Sequence, residues 1–324
     1  MSDYGSLFAE KAIHTVQREI HSTYKRAASD LKSKLAEFMK KHEAKDKLMR
    51  EKLEKNLITQ SEYDSWLTGQ VFIQKQWESK IDQCARIMLD ANKKASQLVQ
   101  DKRFGVFAEN YNHQAYELEK RIGSDMGFNL YNTETVGRLI KQNPRTLPKY
   151  RIDEEKDYIW NAKKLKNAVK QGIIQGEGVD QITDRIVNVL CTQNENKMRT
   201  FARTAVTGAQ NAGRQQQMED AEDLGIKLKK RWLATLDDRT RDTHQELDGQ
   251  EVPVDEPFTV EVDGKKEEIE YPGDPHAEPC LVYNCRCTMI QVYEGIERKS
   301  VRRDMDDNMV ENMTYKEWKK MKSK

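Results

Sequence analysis

Apolar residues early in the chain recur at steps of three and four. Ile13, Val16, Ile20, Tyr24, Ala27, Leu31, Leu35 and Phe38 form one stripe, and charged residues fill most positions between them. A second stripe follows at Ile73, Trp77, Ile81, Cys84, Met88, Ala91, Ala95 and Leu98. Between the two, Lys40 to Lys55 is rich in Lys and Glu and suits an exposed helical end or turn. Seams this narrow predict a long helical hairpin over 1–100, closer to a coiled coil than to a globular core helix. The two stripes either bury each other or leave part of a stripe for a partner. The first reading is preferred, because two exposed stripes would promote aggregation.

The pattern changes after residue 100. Phe104, Phe107, Tyr111, Tyr116, Phe128 and Tyr131 crowd a segment punctuated by Gly123, Gly127, Pro144 and Pro148, which predicts an irregular connection. Helical spacing resumes from Asp153 to Leu190, with a stop expected at Gly176. Another helix is expected from Lys197 past Met218. Beyond Gly225 strand signals take over. Leu228 to Leu236 reads as a strand and Cys287 to Val292 as a closing one. Phe258 to Val262, Asp263-Gly264 and Glu268 to Tyr271 read as a β-hairpin, since Asp-Gly suits a type I′ turn.

The fold class expected is therefore α+β. A long helical hairpin (1–100) and a helical connecting region (101–195) precede a small α+β domain (196–293) with a β-hairpin and a Cys/His cluster. A charged tail (294–324) follows, with room for one helix and with Met305, Met309, Val310, Met313 and Trp318 as its anchors.

Composition narrows the function classes. The chain is 37% hydrophobic and 34% charged, which fits long, wet helices. A net charge of +1 rules out an electrostatic nucleic-acid binder at the level of the whole chain, leaving local basic patches. No apolar run is long enough to span a membrane, and Met1 to Gly5 do not open a signal peptide. Synthesis in a reducing cytoplasm is expected, and five cysteines, an odd number, argue against a disulfide scaffold. Cys84 and Cys191 lie on helical apolar faces and read as small buried hydrophobes.

The other three cysteines gather in the last third with His244 and His276. Cys285 and Cys287 are a tight Cys-x-Cys pair, and His244 can supply a third ligand to a zinc ion. The fourth is open among Cys280, His276 and Asp274. Two buried free thiols, or a disulfide from Cys280 to Cys285 or Cys287, are the alternatives, so zinc is one cofactor reading among three. His244-Gln245-Glu246 with Pro279-Cys280 and Cys285 mimics a zinc deaminase, although the cysteine spacing is longer than that pattern requires. A metal nuclease would use His244 as base with Asp237 or Asp238 on the metal. No Gly-rich phosphate loop is present. For the charged string from Asp237 to His244 the preferred reading is structural: Asp237 or Asp238 caps a short helix, and Asp237 pairs with Arg241 four residues on. Tyr271 to Pro275 is turn chemistry.

Taken in order, these pieces resemble the Mu-F-like head morphogenesis family of tailed phages. They are Arg203-Thr204, Arg231-Trp232, Asp238 to His244 with Arg241 three before the histidine, and Asp248-Gly249. Pro272-Gly273-Asp274-Pro275 and Asn284-Cys285-Arg286-Cys287 complete the set. Each piece is weak alone, and the ordered set is specific. The resemblance marks Asp238, Arg241, Gly249, Pro272, Gly273, Asp274 and Asn284 as structural motif residues. It implies a minor head (capsid) protein rather than an enzyme, made in the host bacterial cytoplasm and carried in the virion. The expected position is the capsid interior or portal vertex, with portal protein and capsid or scaffold as partners. The expected role lies in head morphogenesis, DNA packaging or DNA delivery. Some members of the family carry a toxin domain after this region. Here the charged tail is expected to be too short to fold as an enzyme. The tail residues Arg298, Lys299, Arg302 and Arg303, with the lysines from Lys316 to Lys324, can touch packaged double-stranded DNA through its phosphates. The alternative function is a metal-dependent nucleic-acid enzyme, a nuclease or deaminase, using His244 and Cys280, Cys285 and Cys287.

Overall fold

A computed structural model of the chain describes residues 4–72, 75–147, 152–175, 177, 179–293, 301–303, 309–311 and 314–323. The expected Gly176, Pro148, Arg298, Lys299, Met305 and Met313 lie outside the described residues, as do Ile73 and the side chains of Phe38 and Trp77. Ten helices among the described residues carry most of the chain: α1 (Tyr4–Glu54), α2 (Gln60–Phe72), α3 (Lys75–Ile122), α4 (Thr133–Gln142), α5 (Glu154–Ile174), α6 (Val179–Val187), α7 (Gln193–Asp223), α8 (Asp242–Leu247), α9 (Pro279–Val282) and α10 (Tyr315–Lys322). None is long and apolar enough to cross a membrane. With the small antiparallel sheets described below, the fold is α+β as expected.

The chain divides into two compact units, one of Met1–Val16, Val99–Lys149 and Thr200–Lys324, the other of Gln17–Leu98 and Tyr150–Arg199. Both are discontinuous in sequence because α1, α3 and α7 run through both.

In the second unit the two stripes are buried, from Ile20, Tyr24, Leu31 and Leu35 on α1 to Ile81, Cys84, Met88 and Ala95 on α3. A polar knot sets helix register between them. Tyr24 donates to Asn92, and Asn92 donates to Asp157 and Asn194 at 2.8 and 2.9 Å. Asn194 in turn donates to Asn161 and to the Leu190 carbonyl, inside a π-turn (Asn188–Thr192) that leads into α7. A buried amide that loses its partner costs more than the bond itself contributes, so such a knot tolerates one helix register only. Cys84 and Cys191 are buried free thiols here, each pushed up to about 12 by desolvation, which fits the packing role expected of them.

The first unit holds the sheets. β1 (Leu228–Leu233) is the middle strand of three, between β2 (Glu251–Pro253) and β5 (Thr288–Tyr293), and both of its pairings are antiparallel. β3 (Phe258–Val262) and β4 (Lys265–Ile269) form the expected hairpin. Its turn residues Asp263 and Gly264 both have positive φ, as a type I′ turn requires.

One expectation is corrected in this unit and another is extended. The stretch after residue 100 is not irregular, because α3 continues unbroken to Ile122. Its inner face mixes Phe107, Tyr111 and Ala115 with buried Asn110, Asn112 and Gln114, which hides the apolar period. Asn112 compensates its burial by exchanging two 2.8 Å bonds with the backbone of Tyr131. The tail holds the one helix and the Trp318 anchor expected of it, and a pair of strands besides. Val301–Arg303 and Met309–Glu311 pair as strands β6 and β7. α10 opens on a capping box between Thr314 and Glu317 and buries Trp318 completely, with the indole N–H on Glu119. Lys319 and Lys322 are tied to Glu109, Glu119 and Asp125 at 2.6–2.9 Å, so these two lysines are committed within the protein. Lys316 and Lys320 stay exposed.

Candidate metal centre

β1 alternates, sending Leu228, Lys230 and Trp232 inward. The segment that becomes β5 alternates likewise, so Cys285, Cys287, Met289 and Gln291 are buried while Arg286 turns away. The Cys-x-Cys spacing is thus the period of an extended strand. Trp232 sits opposite Met289 in the ladder, and its ring meets His244 and Phe258 edge-on at 5.8 and 5.3 Å between centroids.

His244 lies on α8 with 2% of its surface exposed, against 1% for Cys285 and 3% for Cys287. The Nε2 atom is 3.1 Å from the Leu281 carbonyl of α9. A carbonyl only accepts, so Nε2 carries the proton, and the lone pair of the neutral ring is on Nδ1. That lone pair faces the sulfurs of Cys287 at 3.2 Å and Cys285 at 3.8 Å. The Cys287 amide donates to Cys285 Sγ at 3.4 Å. The Cys287 thiol is pushed down to about 5, first by its hydrogen bond with Cys285, with burial opposing; Cys285 is raised by the same bond and by burial. Chemically, the trio is either one S–H···N pair with a second thiol beside it or three ligand atoms around one ion.

The other ligand candidates stand apart. Among the described residues, only His244, Cys285 and Cys287 bring three such ligand atoms within 4.8 Å of one another. Cys280 is an exposed free thiol, so neither the deaminase ligand set nor the disulfide is assembled. The His276 ring nitrogen bonds the Arg145 carbonyl. Asp274 is buried, but it accepts from the Glu270 and His276 amides and so closes the turn of Pro272 and Gly273.

The charged string before α8 keeps its structural character with different partners. Asp237 caps no helix. It accepts the Arg239 amide and a two-pronged bond from Arg286 at 2.5 and 2.6 Å, which holds its carboxyl well below the usual carboxylate range. Arg241, expected to pair with Asp237, instead donates to the Tyr283 carbonyl at 2.5 Å. Asp238 is exposed. Gly249, at positive φ, donates its amide to the Trp232 carbonyl, and Asn284, also at positive φ, donates its amide to Thr204. A nuclease metal on Asp237 would have to displace an arginine.

The residues that sequence reasoning missed lie on α7. Thr207, Asn211, Arg214 and Gln215 follow helical spacing, and their side chains bond backbone in the loops and in β5 around the centre; Thr204, part of the Arg-Thr pair named from sequence, precedes them on the same helix. Thr207 donates to the Cys285 carbonyl at 3.1 Å. Asn211 donates to Pro272 and accepts from the Met289 amide. The available signal was a polar period inside an Ala-rich helix. Gly208 belongs to the same face. A β-carbon there would come 2.6 Å from the Gly273 carbonyl, and Gly273 has φ of +83 with its own β-carbon position 2.8 Å from the Gly208 nitrogen. Helix and turn therefore meet backbone to backbone. Gly208→Ala is expected to lower stability by about 1–3 kcal/mol, since neither backbone can give way. A urea midpoint equal to wild type would contradict this contact.

Against known proteins, the family described as Phage Mu protein F like protein matches residues 163–290. The chain is 34% identical over 225 residues to the minor head protein GP7 of Bacillus phage SPP1, covering 67% of this chain and 69% of that protein. A match of that length reaches well upstream of residue 196 into the helices. It is also 34% identical over 197 residues to the NAD(+)–arginine ADP-ribosyltransferase EFV of Enterococcus faecalis, 61% of this chain but 37% of that protein. A protein of Haemophilus influenzae is 27% identical over 59% of this chain and 38% of its own length. The chain thus spans little more than a third of those two relatives. No solved structure matches it.

Proposed function

The chain belongs to the phage Mu protein F-like family, and from that premise we propose that it is a minor head protein of a tailed phage, built into the virion with a structural role. The observation that carries the proposal is the similarity to a minor head protein over most of that protein's length, helices included. Burial supports the structural role. His244, Cys285 and Cys287 have at most 3% of their surface exposed, and a catalytic group has to reach its substrate. The motif residues Arg241 and Asp274 bond backbone and hold loops in place. The ADP-ribosyltransferase activity belongs to a relative of which this chain spans 37%.

The finer assignments are part of the same proposal. The long helices α1 and α3 contact the portal or the procapsid wall. Lys316 and Lys320 of α10 contact packaged DNA through phosphates, independent of sequence. Residues 200–293 act as part of one compact module, the first unit. The test is quantitative mass spectrometry of purified particles, with the portal protein as internal standard. A fixed, low copy number per particle is expected. Absence from both procapsids and mature particles would overturn the proposal.

A further inference from the structure

We propose that His244, Cys285 and Cys287 bind one zinc ion as a structural staple of the first unit. Two sulfurs and one imidazole nitrogen make a donor set that favours zinc over the hard cations, which prefer oxygen. With ordinary Zn–S and Zn–N bond lengths and a tetrahedral angle, nitrogen and sulfur ligands of one ion stand about 3.6 Å apart. The Nδ1 to sulfur separations of 3.2 and 3.8 Å bracket that value, so small side-chain rotations place all three on a common ion.

The surroundings match a ligand set as well as the distances do. A zinc-bound histidine usually donates its other N–H to a carbonyl or carboxylate, which fixes the tautomer and aims the ring. The Leu281 carbonyl is that acceptor here, and its 3.1 Å bond from Nε2–H leaves Nδ1 with the ring's lone pair, aimed at the sulfurs. The Cys287 amide points at Cys285 Sγ, an arrangement that stabilises a thiolate. Two thiolates and a neutral imidazole balance the ion's charge. No fourth His, Cys, Asp or Glu among the described residues joins the group, so these side chains supply three of the four tetrahedral positions.

The local fold supplies the reason for a staple. α8 has six residues and no side-chain cap, and α9 has four. Helices this short do not hold themselves. The ion would join α8 to the start of β5 and, through Leu281, to α9, closing a long loop that contains the β3–β4 hairpin.

The test uses the full chain. Protein purified without chelator is measured for zinc by elemental mass spectrometry, then stripped, reloaded with Co²⁺ and examined by absorption spectroscopy. Roughly one zinc per chain is expected, with thiolate-to-cobalt charge transfer and the intense visible bands of a tetrahedral ion. Cys287→Ser and His244→Gln should each weaken metal binding at least about tenfold, whereas Cys280→Ala and His276→Ala should not change it. Folded wild-type chain that binds no zinc from a competing chelator would overturn the proposal without any variant. So would a cobalt spectrum lacking thiolate bands, or loss of binding in Cys280→Ala. None of these outcomes depends on where the protein acts in the virion.

Discussion

Trp232→Ala is expected to cost about 3–5 kcal/mol, the range for removing a large aromatic from a packed core. Folded domains hold only about 5–15 kcal/mol in total, so the variant should be marginal at 37 °C. The indole is fully buried on the middle strand and touches His244 on one side and Phe258 on another, so its loss opens a cavity beside the candidate metal centre. Rigid neighbours restrict collapse: β1 is hydrogen-bonded to strands on both sides, and the His244 ring is pinned by Leu281. Trp232→Phe should cost much less than the alanine change. No described residue accepts from the Trp232 indole N–H, so phenylalanine gives up volume without breaking a hydrogen bond. Guanidinium unfolding followed by circular dichroism distinguishes the pair. An alanine variant with a midpoint at or near that of phenylalanine would mean that the site collapses freely and that Trp232 does not hold the centre together.

Trp232 also illustrates what could be read from the chain. Arg-Trp ahead of the Asp-rich string marks a strand, and one face of that strand is apolar by alternation. That the strand is central follows from pairing with β2 and β5, which are distant in sequence, and nothing local encodes that pairing. Lys230 makes the point more sharply. It alternates inward with Leu228 and Trp232 and has no exposed surface, satisfied by Gln215 and by the Glu270 carbonyl and carboxylate. A lysine in a pattern reads as an outward position, and only the tertiary partners reverse it.

The helical stripes of α1 and α3 were legible for the opposite reason. Their burial is set by a period of three to four within each helix, so the residues named from spacing alone, such as Val16, Ile20, Leu31 and Met88, are buried. The period failed where helices bury amides instead of methyls, as at Asn110, Asn112 and Asn211. The candidate centre lies between these cases. The Cys-x-Cys pair and His244 were legible as donor types. The choice of donors was not, because Cys280, five residues before Cys285, is exposed while His244, far away in sequence, is in contact.

Arg214→Met is the second large effect expected, at about 2–6 kcal/mol. Arg214 is fully buried on α7, donating to the Met289 carbonyl at 2.7 Å, to the Asn110 side-chain carbonyl at 3.0 Å and to Ser6 at 3.3 Å. Methionine fills much of the volume but leaves two buried acceptors without this donor, and each such loss costs about 1–3 kcal/mol. Nor can the pocket relax easily. A β-carbon on Gly5 would stand within 2.3 Å of the Asn110 oxygen and 2.8 Å of the Arg214 guanidinium, so the backbone of α1 is already packed against this node. Arg214→Lys should recover only part of the loss, because an ammonium reaches one acceptor where the planar fork spans several. The bond to Met289 also decides where the damage appears. Met289 lies two residues beyond Cys287 on β5, so amide exchange from Met289 to Tyr293 should speed up more than exchange in α5, whose bonds involve none of these groups. Equal protection in β5 with and without the guanidinium would mean that the sheet ladder alone positions the cysteines and that α7 is a passive neighbour.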